Sequence, residues 1–381
     1  MARPLNARRP ATLASLAAEL GVSRTTVSNA YNRPDQLSPE LRRRVLETAR
    51  RLGYSGPDPV ARSLRTRHAG AVGLLLTEAL AYAFRDPAAL GFLEGLALAC
   101  EEAGRGLLLV PAAIRAPEPP RNTGGTVIAT VPMTTVNSAA VDGFVVYSVP
   151  DDDPHLAAVL QRPVPTVVCD QPVIAGVDRV GIDDRAAMLA IARHVLELGH
   201  RRVGVLCMRL GRKRHDGLVS QARIREPYSH VQRARLSGLR AAFAEVDVDP
   251  MDIAMIECYE HTTAAGRAGA AELLDRDPQL TAIVCTADVL AMGALAEADR
   301  RGLEVPTQLT ITGFDGVPDA ERIGLTTVRQ PMLEKGHTAG RLLFDGGDSP
   351  GPRTILLDTE LLVGRTCGPP RTSHVEWFSG L

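Results

Sequence analysis

Short apolar runs alternate with amphipathic stretches over most of this 381-residue chain, and that alternation limits its possible folds more than any other feature. Seven runs have the composition of buried strands: AVGLLLT, GLLLVPA, VDGFVVYS, TVVCDQP, RVGVLCM, AIVCTAD and LTITGFDG. Helix-like stretches lie between several of them, at 87–103, 185–198, 233–244, 264–275 and 289–301. Strands that alternate with helices indicate βαβ units. We therefore expect an α/β body with parallel sheets.

The charge of the chain is divided unevenly between a head and a body. Residues 1–70 contain thirteen arginines, no lysine and five acidic residues, a formal charge of +8. The remainder contains 30 basic and 39 acidic residues, a formal charge of −9. A small basic head on a larger acidic body indicates a polyanionic partner for the head alone. The alternative is a basic tail of no specific use.

The basic head has the apolar pattern of three short helices. The first follows Thr12, a suitable N-cap, and ends at Gly21. The second begins after Ser23, and the third begins after Ser38 and ends at Gly53. A tight glycine turn between the first two helices is typical of a helix-turn-helix, whose second helix lies in the major groove of DNA.

The second of these helices has an apolar side and a polar side. Val27 and Ala30 would face the first helix, which leaves an outer face with Arg24, Thr25 and Asn29. Arginine can donate two hydrogen bonds to guanine, asparagine can pair with adenine, and threonine offers a hydroxyl and a methyl group. Three shorter donors suit phosphate oxygens: Thr26, Ser28 and Asn32. A solvated surface position is the alternative for each residue alone, whereas the basic charge of the segment favours DNA.

Residues 57–69 follow the head and contain two prolines, a short helix-capable run and three arginines. One interpretation is an interdomain linker. The other is a second DNA-binding element, a short helix that inserts Leu64 as an apolar wedge into the minor groove.

Residues 11–70 resemble the DNA-binding headpiece and hinge of the lactose-repressor (LacI/GalR) family. The motifs that carry the resemblance are LASLAAELGVSRTTVSNAYN, LSPELRRRV, ARRLGY and VARSL. The resemblance implies a homodimer on a palindromic operator of double-stranded DNA, with the two hinge helices paired at its centre. It also implies DNA contacts from Thr12, Ser23, Arg24, Thr25, Thr26, Ser28, Asn29, Asn32, Ala61 and Leu64.

The resemblance continues to about residue 366 through VDGFVV, VGIDDRAA, LGHRRVGVL, RARLSGLRAA, GLEVPTQLTITGFDG and LTTVRQP. It implies a periplasmic-binding-protein-like (type I) body, in which two α/β lobes with parallel sheets hold a small-molecule effector. The chain would cross between the lobes near residues 170 and 330. The implied domains are a small all-α helix-turn-helix headpiece at 1–56, a hinge at 57–69, and an effector-binding and dimerisation domain at 70–381.

Carboxylates follow several predicted strands, at the edge where parallel sheets bind ligands. Asp170, Asp288 and Asp315 end VVCD, VCTAD and ITGFD, and their oxygens suit hydroxyl-rich ligands. For Asp288 alone, capping of the next helix is an equal alternative. The resemblance implies an effector site with two stacking aromatic rings, formed by Tyr82, Phe84, Asp170, Arg235, Asp288, Asp315 and Gln330. The family suggests a sugar or sugar derivative as the effector, and a nucleoside or anionic metabolite is the alternative.

Two segments depart from the family pattern. Residues 116–138 are rich in Pro, Gly and Thr and are typical of a remodelled loop. Residues 209–230 are long and basic and form either a lid over the pocket or a surface loop, and we favour the surface loop. The tail after Cys367 has no heptad repeat, so we expect no C-terminal coiled coil.

Other features weaken the remaining protein classes. Six scattered cysteines without a C-x-x-C pair are typical of buried thiols in a reducing compartment. We recognise no signal peptide and no membrane-spanning run, so we expect a cytoplasmic protein. With the basic head, this argues against a solute-binding protein of a transporter. The sequence has no P-loop, HExxH or GxSxG motif and no metal-ligand spacing, so we expect no enzyme, no cofactor and no metal site.

Overall fold

A computed structural model describes residues 11–56, 63, 66–76, 83–111, 134–225, 229–246, 248–249, 253–345 and 351–371. The chain divides into two compact units, Met1–Gly70 and Ala71–Leu381. The first unit is the basic head and the second is the α/β body. Helices and strands are numbered in chain order over the described residues.

The head contains three helices and one 3₁₀ turn: α1 (Leu13–Leu20), α2 (Arg24–Asn32), the turn Pro34–Gln36, and α3 (Pro39–Leu52). The predicted N-caps are confirmed, because the side chains of Thr12, Ser23 and Ser38 accept hydrogen bonds from backbone N–H groups of the first turns. Gly21 and Gly53 end α1 and α3 with left-handed φ angles of 68° and 69°. Glycine adopts this conformation without a Cβ clash, which explains both helix ends.

A small apolar core holds the three helices of the head together. Leu16 of α1, Val27 and Ala30 of α2, and Val45 and Ala49 of α3 are buried against one another. The burial of one face of α2 leaves its opposite, polar face free to contact another molecule.

The first lobe of the body is a six-stranded sheet with helices on its faces. Its strands are β1 (Ala71–Leu76), β2 (Gly106–Pro111), β3 (Gly143–Tyr147), β4 (Thr166–Cys169), β5 (Asp178–Ile182) and β12 (Thr354–Leu357). They lie in the order β12–β5–β4–β3–β1–β2, and every pairing is parallel. Its helices are α4 (Pro87–Glu102), α5 (Thr134–Ser138), α6 (Pro154–Leu160) and α13 (Met332–Phe344).

The second lobe has five strands in one sheet: β6 (Val203–Met208), β7 (Gly217–Leu218), β8 (Met255–Cys258), β9 (Ala282–Cys285) and β10 (Thr310–Thr312). Their order is β10–β9–β6–β8–β7, parallel except for β7. A separate antiparallel pair is formed by β11 (Thr327–Arg329) and β13 (Glu360–Leu362). The helices are α7 (Asp184–Glu197), α8 (Gln221–Arg225), α9 (His230–Ala244), α10 (Thr263–Arg276), α11 (Asp288–Arg300) and α12 (Pro318–Arg322).

Within the described residues, the chain passes between the lobes three times. The first crossing follows Ile182 and does not lie near residue 170, because β5 still pairs with β4 in the first sheet. The second lies at about residue 330, between β11 of the second lobe and α13 of the first. The third returns from β12 to β13.

Helices α4 and α13 approach so closely that their backbones touch. A Cβ atom on Gly95 would overlap the carbonyl oxygen of Leu333, and one on Gly336 would overlap the carbonyl oxygen of Phe92. Both positions therefore need glycine. None of the described helices is long and apolar enough to cross a membrane.

Candidate functional site

The outer face of α2 presents polar side chains, as its sequence predicts. Arg24, Thr25 and Asn32 are exposed, whereas Ser28 and Asn29 are half-buried. The Arg24 side chain forms no hydrogen bond or ion pair with any residue that the structure describes. Its guanidinium is thus available to an external acceptor.

Some of the polar side chains around α2 are tied to one another. Ser23 Oγ accepts a hydrogen bond from the Thr26 backbone N–H at 3.0 Å and lies 2.8 Å from Thr26 Oγ1. Asn32 Nδ2 donates to the Ser28 carbonyl oxygen at 3.1 Å. In the head, Thr12 caps α1 and exchanges hydrogen bonds with Ser15. These contacts fix several predicted phosphate-binding groups in position without any ligand.

Gln36 is a polar residue beside α2 that the sequence patterns did not identify. Its Oε1 accepts a hydrogen bond from Asn29 Nδ2 at 3.0 Å. The 3₁₀ turn brings Gln36 back to α2, and the proline that begins this turn is the one sequence signal for it.

The arginines of α3 have different roles. Arg42 Nε donates to the Ala30 carbonyl oxygen at 3.4 Å, and Arg51 pairs with Glu19 at 2.8 Å. Arg43 and Arg44 are exposed and have no partner among the described residues. They add positive charge that no ion pair in the described part of the head neutralises. Two predicted hinge contacts, Ala61 and Leu64, lie outside the described residues.

A cavity of about 150 Å³ lies between the two lobes of the body, at the carboxyl ends of strands from both sheets. Such ends are the usual ligand sites of parallel α/β sheets. The structure brings four predicted effector-site residues together on its wall: Asp170, Arg235, Asp315 and Gln330.

Polar contacts connect these four residues across the lobes. Lys335 Nζ, which is fully buried, lies 2.7 Å from Asp170 Oδ1 and donates to Gln330 Oε1 at 2.9 Å. Gln330 Nε2 donates to Asp315 Oδ1 at 2.7 Å. Arg235 Nη1 lies 3.8 Å from the same Asp315 oxygen. These four side chains and Lys335 therefore form one connected network of cationic, anionic and amide groups.

Arg235 is held from several sides. Its Nε donates to Asp184 Oδ1 at 2.8 Å, and its Nη1 donates to the Thr286 carbonyl oxygen at 2.7 Å. The guanidinium carbon lies 3.8 Å from the centre of the Phe314 ring. Burial raises the pKa of Asp315 well above its ordinary value, and the Arg235 guanidinium offsets part of that effect.

Backbone strain is concentrated on this cavity. Ser148, Asp170 and Asp315 have φ angles of 51°, 62° and 133°, in the region that favours glycine. Each such residue costs about 1–3 kcal/mol, and such residues cluster at ligand sites. All three lie on the wall of the same cavity. This coincidence supports a ligand-binding role for the cavity.

Three of the predicted effector-site residues are placed differently. Asp288 is fully buried away from the wall, where its carboxylate accepts hydrogen bonds from Thr327 Oγ1 at 2.6 Å and the Val317 N–H at 2.9 Å. It does not cap α11 either, since Ala287 occupies the N-cap position. Phe84 is 55% exposed and does not line the cavity. Tyr82 lies outside the described residues.

Other wall residues have no counterpart in the sequence predictions. Gln232 is 2% exposed, and its Oε1 has no hydrogen-bond partner among the described residues. Tyr147 ends β3 and stacks on Phe92 at 4.1 Å between ring centres. Burial, followed by the charges of Arg209 and Arg235, lowers the pKa of His261 to about 3. Of these three wall residues, only Tyr147 has a signal in the sequence, because it is the last apolar residue of a predicted strand.

The 209–230 segment reaches the first lobe and is not a free surface loop. Arg209 lines the cavity, and Arg212 pairs with Asp152 at 3.0 Å. Beyond this segment, Arg233 pairs with Asp151 at 2.6 Å. We refer to the pairs Arg212–Asp152 and Arg233–Asp151 as the interlobe clasp. These contacts favour the lid interpretation. Among the described residues, no group of three or more His, Cys, Asp or Glu side chains could hold a metal ion.

Comparisons with known proteins agree with this architecture. Residues 192–367 match the family model of the periplasmic binding protein-like domain. An HTH-type transcriptional regulator of Mycobacterium tuberculosis, Rv3575c, is 56% identical over 95% of this chain and 98% of its own length. A LacI-family regulator structure from Corynebacterium glutamicum is 38% identical, with a TM-score of 0.69 over 94% of this chain and 99% of that one. The regulator CelR, in a structure of its complex with cellobiose, is 26% identical to this chain, with a TM-score of 0.63 over 93% of this chain and 99% of that one. All three proteins are named as transcriptional regulators, and none as an enzyme.

Proposed function

The chain belongs to the LacI family of DNA-binding transcriptional regulators, and from that premise we propose that it is a repressor whose operator affinity is set by a small neutral polyhydroxylated effector. The observation that carries the proposal is the cavity between the lobes, whose wall combines apolar side chains with a connected group of hydrogen-bonding side chains of both charges.

The head supplies the sequence specificity in this proposal. Helix α2 enters the major groove, and its exposed Arg24 and Thr25, with Asn29, contact base edges. Ser23, Thr26, Ser28 and Asn32, together with Thr12 at the start of α1, contact phosphates. The free charges of Arg43 and Arg44 support this role, because unpaired cations on the head favour a polyanion.

Two copies of the chain form the functional unit in this proposal. A homodimer places two heads on the half-sites of a palindrome, and residues 57–69 form the hinge, with Ala61 and Leu64 at the minor groove. Effector binding changes the angle between the lobes and so the stability of the hinge helices. Coupling of this kind is typically about 1–3 kcal/mol between sites.

The charges around the cavity favour a neutral effector over an anionic one. Among the described residues, the wall has three carboxylates, at Asp86, Asp170 and Asp315. Two of the cations beside them have carboxylate partners, since Lys335 pairs with Asp170 and Arg235 pairs with Asp184, and Arg209 is the third cation at the wall. A phosphate or carboxylate ligand would therefore meet a wall without surplus positive charge, whereas hydroxyl groups can donate to its oxygens.

The size of the cavity supports a small ligand. Its volume of about 150 Å³ is below the ~300–1,000 Å³ typical of pockets for drug-sized molecules. The cellobiose complex of CelR supports a carbohydrate-like ligand in this fold. A monosaccharide, or a molecule of similar size and polarity, fits the proposal best.

Selection from random duplex DNA by the full-length protein, at near-physiological salt, tests the proposal. We expect a palindrome of two half-sites with a flexible pyrimidine–purine step at its centre. Binding that is indifferent to sequence and falls steeply with salt would contradict the proposed base readout.

A further inference from the structure

The side-chain amides of Asn29 and Gln36 form a pair beside the outer face of α2. Asn29 Nδ2 donates to Gln36 Oε1 at 3.0 Å. Asn29 lies in the middle of α2 and is half-buried, whereas Gln36 ends the 3₁₀ turn and is exposed. Seven residues separate them, so the pairing depends on the fold of the turn and not on the helical repeat.

The backbone of the turn holds Gln36 in place. The Arg33 N–H donates to the Asn29 carbonyl oxygen at 2.9 Å, and the Gln36 N–H donates to the Arg33 carbonyl oxygen at 3.1 Å. Pro34 restricts the first residue of the turn, and Leu37 packs against the core of the head. Gln36 is therefore anchored on both sides, and its side chain starts from a fixed position.

The chemistry of an amide explains what this pairing can do. An asparagine that reads adenine accepts from N6 with its oxygen and donates to N7 with the hydrogen on the same side as that oxygen. The second hydrogen of the NH₂ group points away from the base. With the Gln36 oxygen placed there, the amide keeps this orientation, since rotation of Asn29 by 180° would exchange its donor and acceptor and break the bond unless the Gln36 amide rotated with it.

We propose that Gln36 is a positioning residue that orients the Asn29 amide and thereby sets the base preference at one position of each operator half-site. The inference rests on the proposed role of α2 in reading bases. It adds a residue outside the recognition helix to the determinants of specificity. Gln36 acts through Asn29 and needs no base contact of its own.

Two substitutions of Gln36 separate orientation from charge and bulk. Gln36→Met keeps the length of the side chain and removes the acceptor, whereas Gln36→Glu keeps an acceptor and adds a negative charge. The binding affinity of each full-length variant is measured against the selected operator and every single-base variant of it. Asp35→Asn, in the same turn, is the control and should leave the base preferences unchanged.

We expect Gln36→Met to lower the discrimination at one half-site position by about 5-fold or more, with the other positions unchanged. This position should be the one that Asn29→Ala relaxes. Gln36→Glu should retain the preference and bind all sequences more weakly, because its carboxylate lies near phosphates. In the Asn29→Ala background, Gln36→Met should have no further effect on preference.

The inference would be overturned if Gln36→Met discriminated between bases as well as the wild type does. It would also be overturned if Gln36→Met lowered the base discrimination equally in the wild-type and Asn29→Ala backgrounds. Two further results would overturn it: loss of the base preference in Gln36→Glu, or a loss of base discrimination in Gln36→Met that is equal at all operator positions. These results leave the proposed function standing as long as the wild-type protein selects a palindrome. A wild-type protein that selects no sequence would instead overturn the proposed base readout, and the role of Gln36 with it.

Discussion

Asp315 links the backbone strain, the charge network and the ligand site of the cavity. It adopts a φ of 133°, accepts a hydrogen bond from Gln330, and lies near Arg235. Burial raises its pKa well above 3.8. The folded protein therefore holds a proton on Asp315 more tightly than the unfolded chain does, and ionising this group at neutral pH costs stability.

The Asp315→Asn variant tests this cost directly. We expect a higher midpoint of thermal unfolding than that of the wild type at pH 7, because the variant has no carboxylate to ionise. The advantage should shrink as the pH falls towards 3.8, where the unfolded carboxyl also takes up its proton. The exposed Asp299→Asn is the matched control. An advantage that persists unchanged at acid pH would contradict the account.

At the same scale, the sequence predicted some wall residues and misplaced others. An Asp that follows a predicted strand does reach the sheet edge, as Asp170 and Asp315 show. Asp288 has the same signal, but its side chain turns into the lobe to meet Thr327. The direction of a side chain depends on the packing of later elements, which a strand-end pattern does not encode. Gln232 was missed for the same reason, since only the completed cavity identifies it.

At the scale of elements, the pair α4 and α13 joins the cavity to the core of the first lobe. Helix α4 begins beside Asp86 of the wall, and α13 carries Lys335 of the charge network. Their close crossing depends on Gly95 and Gly336. The packing of these two helices thus helps to determine where Asp86 and Lys335 lie.

A methyl group at Gly95 tests that dependence. Gly95→Ala should lower the free energy of unfolding by about 1–3 kcal/mol, because the new Cβ overlaps the backbone of α13. Chemical denaturation of the full-length protein measures the change. Gly351→Ala is the control, since a Cβ there meets no atom within 4 Å and the φ angle is not left-handed. A neutral Gly95→Ala would show that the helices separate at little cost.

Strands and caps were predictable where local chemistry decides them. The apolar runs predicted the parallel sheets, and the N-cap residues predicted the starts of three helices, at Thr12, Ser23 and Ser38. The first lobe crossing was misplaced because β5 begins with Asp178 and Arg179 and lacks a long apolar run. β12 was also missed, since its side chains alternate between exposed and half-buried positions. Both strands are defined by their parallel pairing, which is a long-range property.

At the scale of the whole molecule, polar contacts hold the two lobes of the body together at the cavity. Besides the interlobe clasp, the backbone N–H of Val231 in the second lobe donates to Gln171 Oε1 in the first at 3.0 Å. The clasp arginines are partly exposed, so salt screens them and each pair contributes little. Such weak contacts suit lobes that must open for a ligand.

The clasp predicts a measurable change in lobe opening. In the Arg212→Ala/Arg233→Ala variant, the Val231 N–H should exchange with deuterium about 2–5-fold faster, because opening exposes its bond to Gln171. Arg214→Ala is the control, since Arg214 pairs with Glu260 inside its own lobe. If the Val231 N–H exchanged at the same rate in the double variant and the wild type, the interlobe clasp would have no role in holding the lobes closed.

We expect a neutral ligand in the cavity to control operator affinity. The most direct test is to measure the Kd of the full-length protein for its selected operator, at fixed salt, with a panel of neutral monosaccharides and sugar alcohols and their phosphorylated counterparts. At least one neutral compound should change the Kd by about 5–150-fold, and its phosphorylated form should not. A panel in which only phosphorylated compounds change the Kd, or in which no neutral compound does, would contradict this expectation.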